Sequence, residues 1–304
     1  MLRPWLASAL CVLGAGIAEP AEFAIEQVAP GVFVHTGRQL DLEAPGHDDI
    51  ANIGFIVGAR CTAVIDTGGS VRIGRALLAA IRHRTQEPIC YVIDTHVHVD
   101  HVLGNAAFAS AHPSFVGHAA LPAAIARSRL YFLQNYADDL DAPASAEQII
   151  GPDRLVQSTL DLDLGNRVLH LRAWPVAHTD SDLTVLDASS GTLWTGDLLF
   201  VQRLPAVDGD VGGWLGVIEE LSRSEVKHVV PGHGPLVTDL RAALVPERRY
   251  LRALLAGVQS ALDLGQSLPD AIEHVAQDEK PQWLLWDATH PRNVTRVYQQ
   301  LEWK

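Results

Sequence analysis

A chain of 304 residues, 48% of them apolar, can bury a substantial core as one large domain or two small ones. Its 23 basic and 36 acidic side chains leave a formal charge of −13, which argues against nucleic acid as a partner, because that binding relies on Lys and Arg neutralising phosphates. Nothing further follows from the sign, since an acidic balance mainly favours solubility.

The chain opens with "MLRPWLASALCVLGAGIA", one Arg followed by an apolar run and then small residues. That is the pattern of a cleavable signal peptide over residues 1–18, with cleavage expected after Ala18 or Ala21 and a periplasmic or secreted product. The competing reading is a buried first helix, but Glu19-Pro20 ends the run and it is short for a bilayer span. Cys11 lacks the usual lipoprotein context, and no later run is apolar for long enough to cross a membrane. Export leaves Cys61 and Cys90, for which an oxidising compartment permits a bridge. Both lie in apolar, strand-like runs that suit two buried thiols equally well, and the alternatives stay open at this level.

From Glu22 onward, short apolar strands alternate with helices. "GVFVHTG", "NIGFIVG" and "TAVIDTG" read as strands bounded by Gly and Asn. "SVRIGRALLAAIRHRT" has helical periodicity behind a Ser cap, and "ICYVIDT" is a further buried strand. After it, "LGNAAF" starts a helix and residues 118–139 read as another. Residues 166–172, 183–188 and 192–196 and "VKHVVPG" read as strands, 239–264 as a long helix and "NVTRVYQQLEWK" as a closing helix, whereas 140–165 give no clear pattern. The strands fall into two groups, each followed by helices, with no disordered linker between them. The expected architecture is therefore a single α/β domain over residues 22–304, with two sheets face to face and helices outside. Its core spans about residues 31–234, with a C-terminal helical part over 239–304.

The stretch "DTHVHVDHVLGN" follows directly on the strand "ICYVIDT". His96 and His98 sit two apart, so an extended backbone points both rings to one side. Asp100 and His101 follow where the chain must turn. Three further candidates each come after a strand: His178 in "PVAHTDSD", Asp197 in "WTGDLLF" and His233 in "VVPGHGP". A lone His in "PGHG" is more often structural than a ligand, but four such elements in order point to a two-metal site. The other nine of the 14 histidines, His35 and His290 among them, have no ligand-like context.

These residues resemble the metallo-β-lactamase superfamily from about Gly31 to Gly234: the H-x-H-x-D-H element matches His96, His98, Asp100 and His101, and the later His, Asp and His match His178, Asp197 and His233. The resemblance implies an αβ/βα sandwich of two mixed β-sheets with the metals at one edge. His96, His98 and His178 would hold one ion, Asp100, His101 and His233 the second, and Asp197 would bridge, with Asp100 and Asp197 the carboxylates serving catalysis. Asp66 in "VIDTGGS" matches an early Asp that orients a ligand from behind, a role compatible with simply forming the turn before Gly68. Imidazole and carboxylate ligands without cysteine suit two Zn²⁺ per chain, although ligand type alone also admits Fe or Mn. Such a pair makes hydroxide at neutral pH, which implies hydrolysis of a small ester, thioester or amide.

Fold alone does not name a substrate. Class B1 lactamases carry Cys where Asp197 stands and a Lys that grips the substrate carboxylate; here Arg203 is the only close cation in "GDLLFVQRLPAVDG". "HDDIANIGFIVG", "AHTDSDLTVLD", the stretch around Arg203 and "NVTRVYQQLEWK" are similar to the quinoprotein relay system zinc metallohydrolases, periplasmic hydrolases like one encoded in sulfur-oxidation clusters. That similarity implies a small-molecule substrate and a periplasmic quinoprotein or redox partner, without naming either. Two other readings are a zinc-loaded accessory protein for maturation of a redox partner, and a β-lactamase activity. Mass spectrometry of the exported protein is expected to find Glu19 or Glu22 at its start, and an intact Met1 in a soluble cytoplasmic fraction would overturn the export reading.

Overall fold

The computed structural model describes residues 23–303, so the segment read as a signal peptide lies outside the described residues. The central strands that follow are buried on both faces, which requires a covering layer on each side, whereas the strands at the sheet edges are partly exposed. Seven of them form one sheet in chain order: β1 (Glu26–Ala29), β2 (Val32–His35), β3 (Ile53–Val57), β4 (Thr62–Ile65), β5 (Ile89–Ile93), β6 (Ser114–His118) and β7 (Arg154–Val156). The run β1 to β4 is antiparallel and β4 to β7 parallel. Five more, β8 (Thr159–Asp163), β9 (Val168–Ala173), β10 (Leu183–Asp187), β11 (Thr192–Phe200) and β12 (His228–His233), form a second sheet in the order β12-β11-β10-β9-β8. Only its β11–β12 pair is parallel.

Side-chain alternation along the strands sorts the apolar residues into layers. Ile56, Ile65 and Ile93 of the first sheet face Leu171, Val185, Trp194 and Val230 of the second across the central core. Gly54 leaves room for that packing, because a Cβ there would stand 2.7 Å from the Trp194 ring and 2.1 Å from the Phe33 carbonyl. Phe55 and Val64 point the other way, onto Ile73, Leu77 and Ile81 of α1 (Val71–Arg84). That helix starts where the Ser70 hydroxyl accepts a hydrogen bond from the Ile73 amide. The remaining helices are α2 (Val99–Val102), α3 (Leu121–Asn135), α4 (Val211–Leu221), α5 (Leu240–Asp263), α6 (Leu268–His274) and α7 (Trp286–Glu302). Trp214, Leu251, Leu254 and Val294 from α4, α5 and α7 pack on Leu193 and Leu199 of the second sheet. The result is the expected helix–sheet–sheet–helix sandwich, each fully buried Leu or Ile contributing about 1.5–3 kcal/mol.

The differences from the sequence reading have local causes. "LGNAAF" continues α2 as a 3₁₀ segment (Leu103–Ala111), in which Gly104 lies against the Thr67 carbonyl, 2.1 Å from where a Cβ would be. The helix expected from residue 118 begins at Leu121, with Pro122 in its first turn, after β6 has taken residues 114–118. Residues 140–165 end in β7 and β8, and the exposed, charge-alternating "TLDLD" of β8 carries too little apolar surface to signal a strand. The last helix begins at Trp286, ahead of the stretch predicted. Among the described residues no helix is long and apolar enough to cross a membrane.

The open question about the thiols is answered by a Cys61–Cys90 disulfide, with Cα atoms 5.7 Å apart. It ties the start of β4 to the start of β5. Bridging a sequence separation of 29 residues restricts the unfolded chain, so Cys90→Ser is expected to lose about 3–4 kcal/mol of stability in denaturant titrations. Non-reducing peptide mapping should recover the Cys61 and Cys90 peptides linked, and free thiols at both positions would contradict the bridge.

Candidate metal centre

The carboxyl ends of the parallel strands β4, β5 and β12 open onto one edge of the sandwich, where ligands commonly bind in α/β sheets. β5 delivers His96 and His98, α2 carries Asp100 and His101, β11 carries Asp197, and β12 ends on His233. His178 comes from the β9–β10 connection. All seven predicted residues meet, in two groups whose ligand atoms lie within 4.8 Å of one another: His96, His98, His178 and Asp197, and beside them Asp100, His101 and His233. Asp197 faces both: its Oδ1 lies 3.2 Å from His101 Nε2, and its Oδ2 lies 3.2, 3.4 and 3.7 Å from Nε2 of His233, His178 and His96. Asp100 Oδ2 stands 3.3 Å from His233 Nε2.

Glycines make this approach sterically feasible. Gly196 adopts φ 51°, and a Cβ on Gly232 would sit 1.9 Å from the Asp197 carboxylate. Gly232 lets β12 pass beside Asp197, which accounts for the small residues flanking the "GHG" histidine.

Each ring has its other nitrogen committed outward. His101 Nδ1 donates to Asp66 Oδ2 at 2.7 Å, and Thr95 donates to Asp66 through its amide and hydroxyl, both at 2.8 Å. With that hydroxyl proton spent, Thr95 Oγ1 accepts from His96 Nδ1 at 3.0 Å. His178 Nδ1 donates to the Ala206 carbonyl and His233 Nδ1 to the Ile50 carbonyl, each at 2.8 Å. His98 is reversed: its Nε2 meets Asp208 Oδ2 at 3.2 Å, leaving Nδ1 3.0 Å from His178 Nε2. Asp66 therefore orients two of the rings, and holds its position at φ 52°, a left-handed conformation that Asp tolerates better than most residues.

These outward bonds leave the inward nitrogens as lone pairs facing each other and two carboxylates. Nε2 of His96, Nε2 of His101 and Oδ1 of Asp197 are buried without a hydrogen-bond partner. Buried polar atoms rarely stay orphaned, and a nitrogen–oxygen donor set without thiolate suits Zn²⁺. The residues fit a pair of metal ions. Charge agrees: burial works against the Asp197 carboxylate, yet His233, His101 and His96 hold it well below the usual carboxylate range. Burial drives His96 well below the ordinary imidazole value and His178 down to about 3, the neutral form a ligand needs. His101 is pushed well above that value against its burial, because Asp197, Asp66 and Asp100 surround it, and His98 is raised too, chiefly by its bond to Asp208.

Several supporting residues escaped the sequence reading. Asp182 accepts from the Thr179 amide and hydroxyl at 2.8 and 2.6 Å, bracing the loop after His178, and its own burial pushes it up to about 7. More consequential is the grip of α7 on the 203–210 loop, which carries Ala206 behind His178 and Asp208 behind His98. Asn293 Nδ2 donates to the Pro205 carbonyl at 2.7 Å, and its Oδ1 accepts from the Val207 amide at 2.9 Å. Arg296 Nε donates to the Asp208 carbonyl at 3.0 Å, and Gln300 donates to the Gly209 carbonyl. Asn293, Arg296 and Gln300 occupy one helix face in "NVTRVYQQ", a polar stripe that periodicity alone can detect. Of the histidines set aside, His35 bonds Asp49 and His290 bonds Tyr250, and neither joins the cluster.

The profile of the metallo-beta-lactamase superfamily matches residues 47–233. Solved structures with the same fold include the inverting sec-alkylsulfatase Pisa1 from Pseudomonas sp., at 19% identity and a TM-score of 0.70 over 91% of this chain. This chain spans 50% of that protein. A metallo-beta-lactamase from Pontibacter korlensis aligns at 19% identity and a TM-score of 0.59, over 75% of this chain and 98% of that one. The protein TMB-1 aligns at the same identity and TM-score, over 75% of this chain and 96% of that one. At such identities the likeness is one of fold. A search of curated proteins found no match.

Asn293→Ala would strand the Val207 amide and the Pro205 carbonyl in the interior. It is expected to cost about 1–3 kcal/mol in urea unfolding. An unchanged midpoint would show that the loop does not depend on α7.

Proposed function

Because the chain belongs to the metallo-beta-lactamase superfamily, we propose that it is a hydrolase, an exported dinuclear zinc enzyme cleaving a small ester, thioester or amide in the periplasm. The observation that carries this reading is the placement of Asp197 between the two ligand groups, among buried atoms that lack any other partner. His96, His98 and His178 would hold one ion, Asp100, His101 and His233 the other, and Asp197 would serve both. Zinc bound there supplies Lewis acidity, bringing the pKa of a water towards ~7 and polarising an acyl oxygen. The chain's own groups supply position. Asp66 and Thr95 lock the rings of His101 and His96, while Asp208 and the Ala206 carbonyl lock His98 and His178. Phe200 stacks on His233, with ring centroids 5.1 Å apart, and shields that side from water.

A pocket of about 300 Å³ opens beside the cluster, with Leu42, Val97, Phe132 and Tyr136 on its walls. That volume sits at the lower end for small-ligand sites and supports a small, largely apolar substrate. The similarity of several loops to the quinoprotein relay system zinc metallohydrolases supports a role beside a periplasmic quinoprotein.

Purified protein is expected to carry close to two zinc ions per chain, and His96→Ala to lose at least one. Zinc-loaded protein should hydrolyse a member of a chromogenic panel of esters, thioesters and amides, to which the neighbours add a sulfate ester and a β-lactam. Asp197→Ala should cost on the order of a thousandfold in rate, with a smaller loss in thermal stability. Elemental analysis without stoichiometric metal would sink the proposal. A zinc-loaded protein that turns over nothing, in an organism whose periplasmic oxidation fails with Asp197→Ala, would point instead to an accessory protein.

A further inference from the structure

Glu247 lies within α5 and is fully buried, with Leu244 and Leu251 of the same helix face in the apolar core around it. It belongs to neither ligand group. Its Oε1 accepts from the Phe200 amide at 3.2 Å, and its Oε2 has no hydrogen-bond partner. Burial pushes the carboxyl well above the usual carboxylate range; the Phe200 amide opposes that shift and Asp197 adds to it. A carboxyl held in a core with one oxygen unused is costly, and an apolar side chain of similar size would avoid that cost. Residues that break such local rules concentrate at functional sites.

The strand end that Glu247 meets is short of partners. Pairing of β11 with β10 ends at Trp194, so beyond that residue β11 has only β12 beside it. The β11–β12 ladder then slips: Gly196 pairs with Pro231 and Phe200 with His233, which sets residues 197–199 opposite Gly232 alone. Such a bulge re-aims the side chains within it, here that of Asp197. Where the ladder resumes, the Val201 amide returns to the His233 carbonyl at 3.0 Å, while the Phe200 amide finds its acceptor in Glu247. The Phe200 ring in turn meets one histidine from each ligand group, His233 stacked at 5.1 Å and His178 edge-on at 5.6 Å between centroids. We infer that Glu247 is a positioning residue, pinning the end of the β11 bulge so that Phe200 braces His178 and His233 and Asp197 stays between the two ligand groups. The inference rests on the metal-centre reading for its zinc readout, but the pinning itself needs no metal.

The test compares Glu247→Met, Glu247→Gln and Phe200→Leu with the wild type. In metal-free protein, hydrogen exchange should find the Phe200 and Val201 amides protected in the wild type and in Glu247→Gln, which keeps the acceptor oxygen. In Glu247→Met they should exchange about tenfold or more faster, with the α5 amides unchanged. Titration with Zn²⁺ should show the weaker of the two sites losing about tenfold or more in affinity in Glu247→Met, the usual cost of removing a group that holds ligands in place. Glu247→Gln should restore most of it. Phe200→Leu keeps the amide bond but removes the ring, so it should weaken zinc similarly with a wild-type exchange pattern, and it decides the matter if Glu247→Met does not fold. Unaltered Phe200 exchange in Glu247→Met, wild-type zinc affinity in Glu247→Met or Phe200→Leu, or a Glu247→Gln that behaves as Glu247→Met would overturn the inference. So would faster exchange throughout α5, since Glu247 would then serve the fold at large. A wild type that takes up no zinc, yet shows the exchange pattern across the Glu247 variants, would leave the pinning standing and remove the metal-centre reading alone.

Discussion

The structure is organised around the problem of gathering five imidazoles, four of them buried, and two carboxylates at one edge of a sandwich. Each ring solves half of it by donating one N–H outward, and those outward partners come from widely separated parts of the chain. Ile50 precedes β3, Asp66 ends β4, and Ala206 and Asp208 lie after β11. Correct placement of the ligand atoms therefore requires both sheets and the loops between them to be in place together. The cluster cannot be assembled by one local motif. A partly folded chain would present the same residues with their tautomers and orientations unspecified.

The same constraint explains why the C-terminal helices matter to a site whose ligands all come earlier. The 203–210 loop holds two rings from behind but has little regular structure of its own, so its backbone groups need partners elsewhere. Asn293 supplies both a donor and an acceptor, and is itself held by Tyr250 of α5 at 2.9 Å. The aromatic cluster of Tyr250, Trp286 and His290 thus forms the foundation of the loop rather than a separate feature.

Particular residues show what can be read without coordinates. The ligand candidates stood out because imidazole and carboxylate side chains at strand ends are chemically distinctive, and the pairing of His96 with His98 follows from the two-residue period of a strand. The layers followed from apolar runs such as "NIGFIVG" and "ICYVID". Thr95 and Asp208 were invisible because their roles depend on direction, a hydroxyl spending its proton on Asp66 or a carboxylate turned towards His98, and common residue types do not advertise direction. β8 was missed for the opposite reason: it sits at a sheet edge, where exposed Thr and Asp suffice and the pattern that marks a strand is diluted.

The disulfide has a consequence set by where it lies. Cys61 and Cys90 join β4 and β5 at their amino ends, whereas Asp66 and His96 project from the opposite, carboxyl ends of the same strands. At that far end the strands are kept together by backbone hydrogen bonds, with the Asp66 amide on the Ile93 carbonyl at 2.9 Å, and by the Asp66 carboxylate beneath Thr95. The covalent bond consequently adds to the stability of the sandwich, while the arrangement of its reactive edge is left to weaker forces. Durability and chemistry occupy opposite ends of one pair of strands, so selection can tune either without disturbing the other.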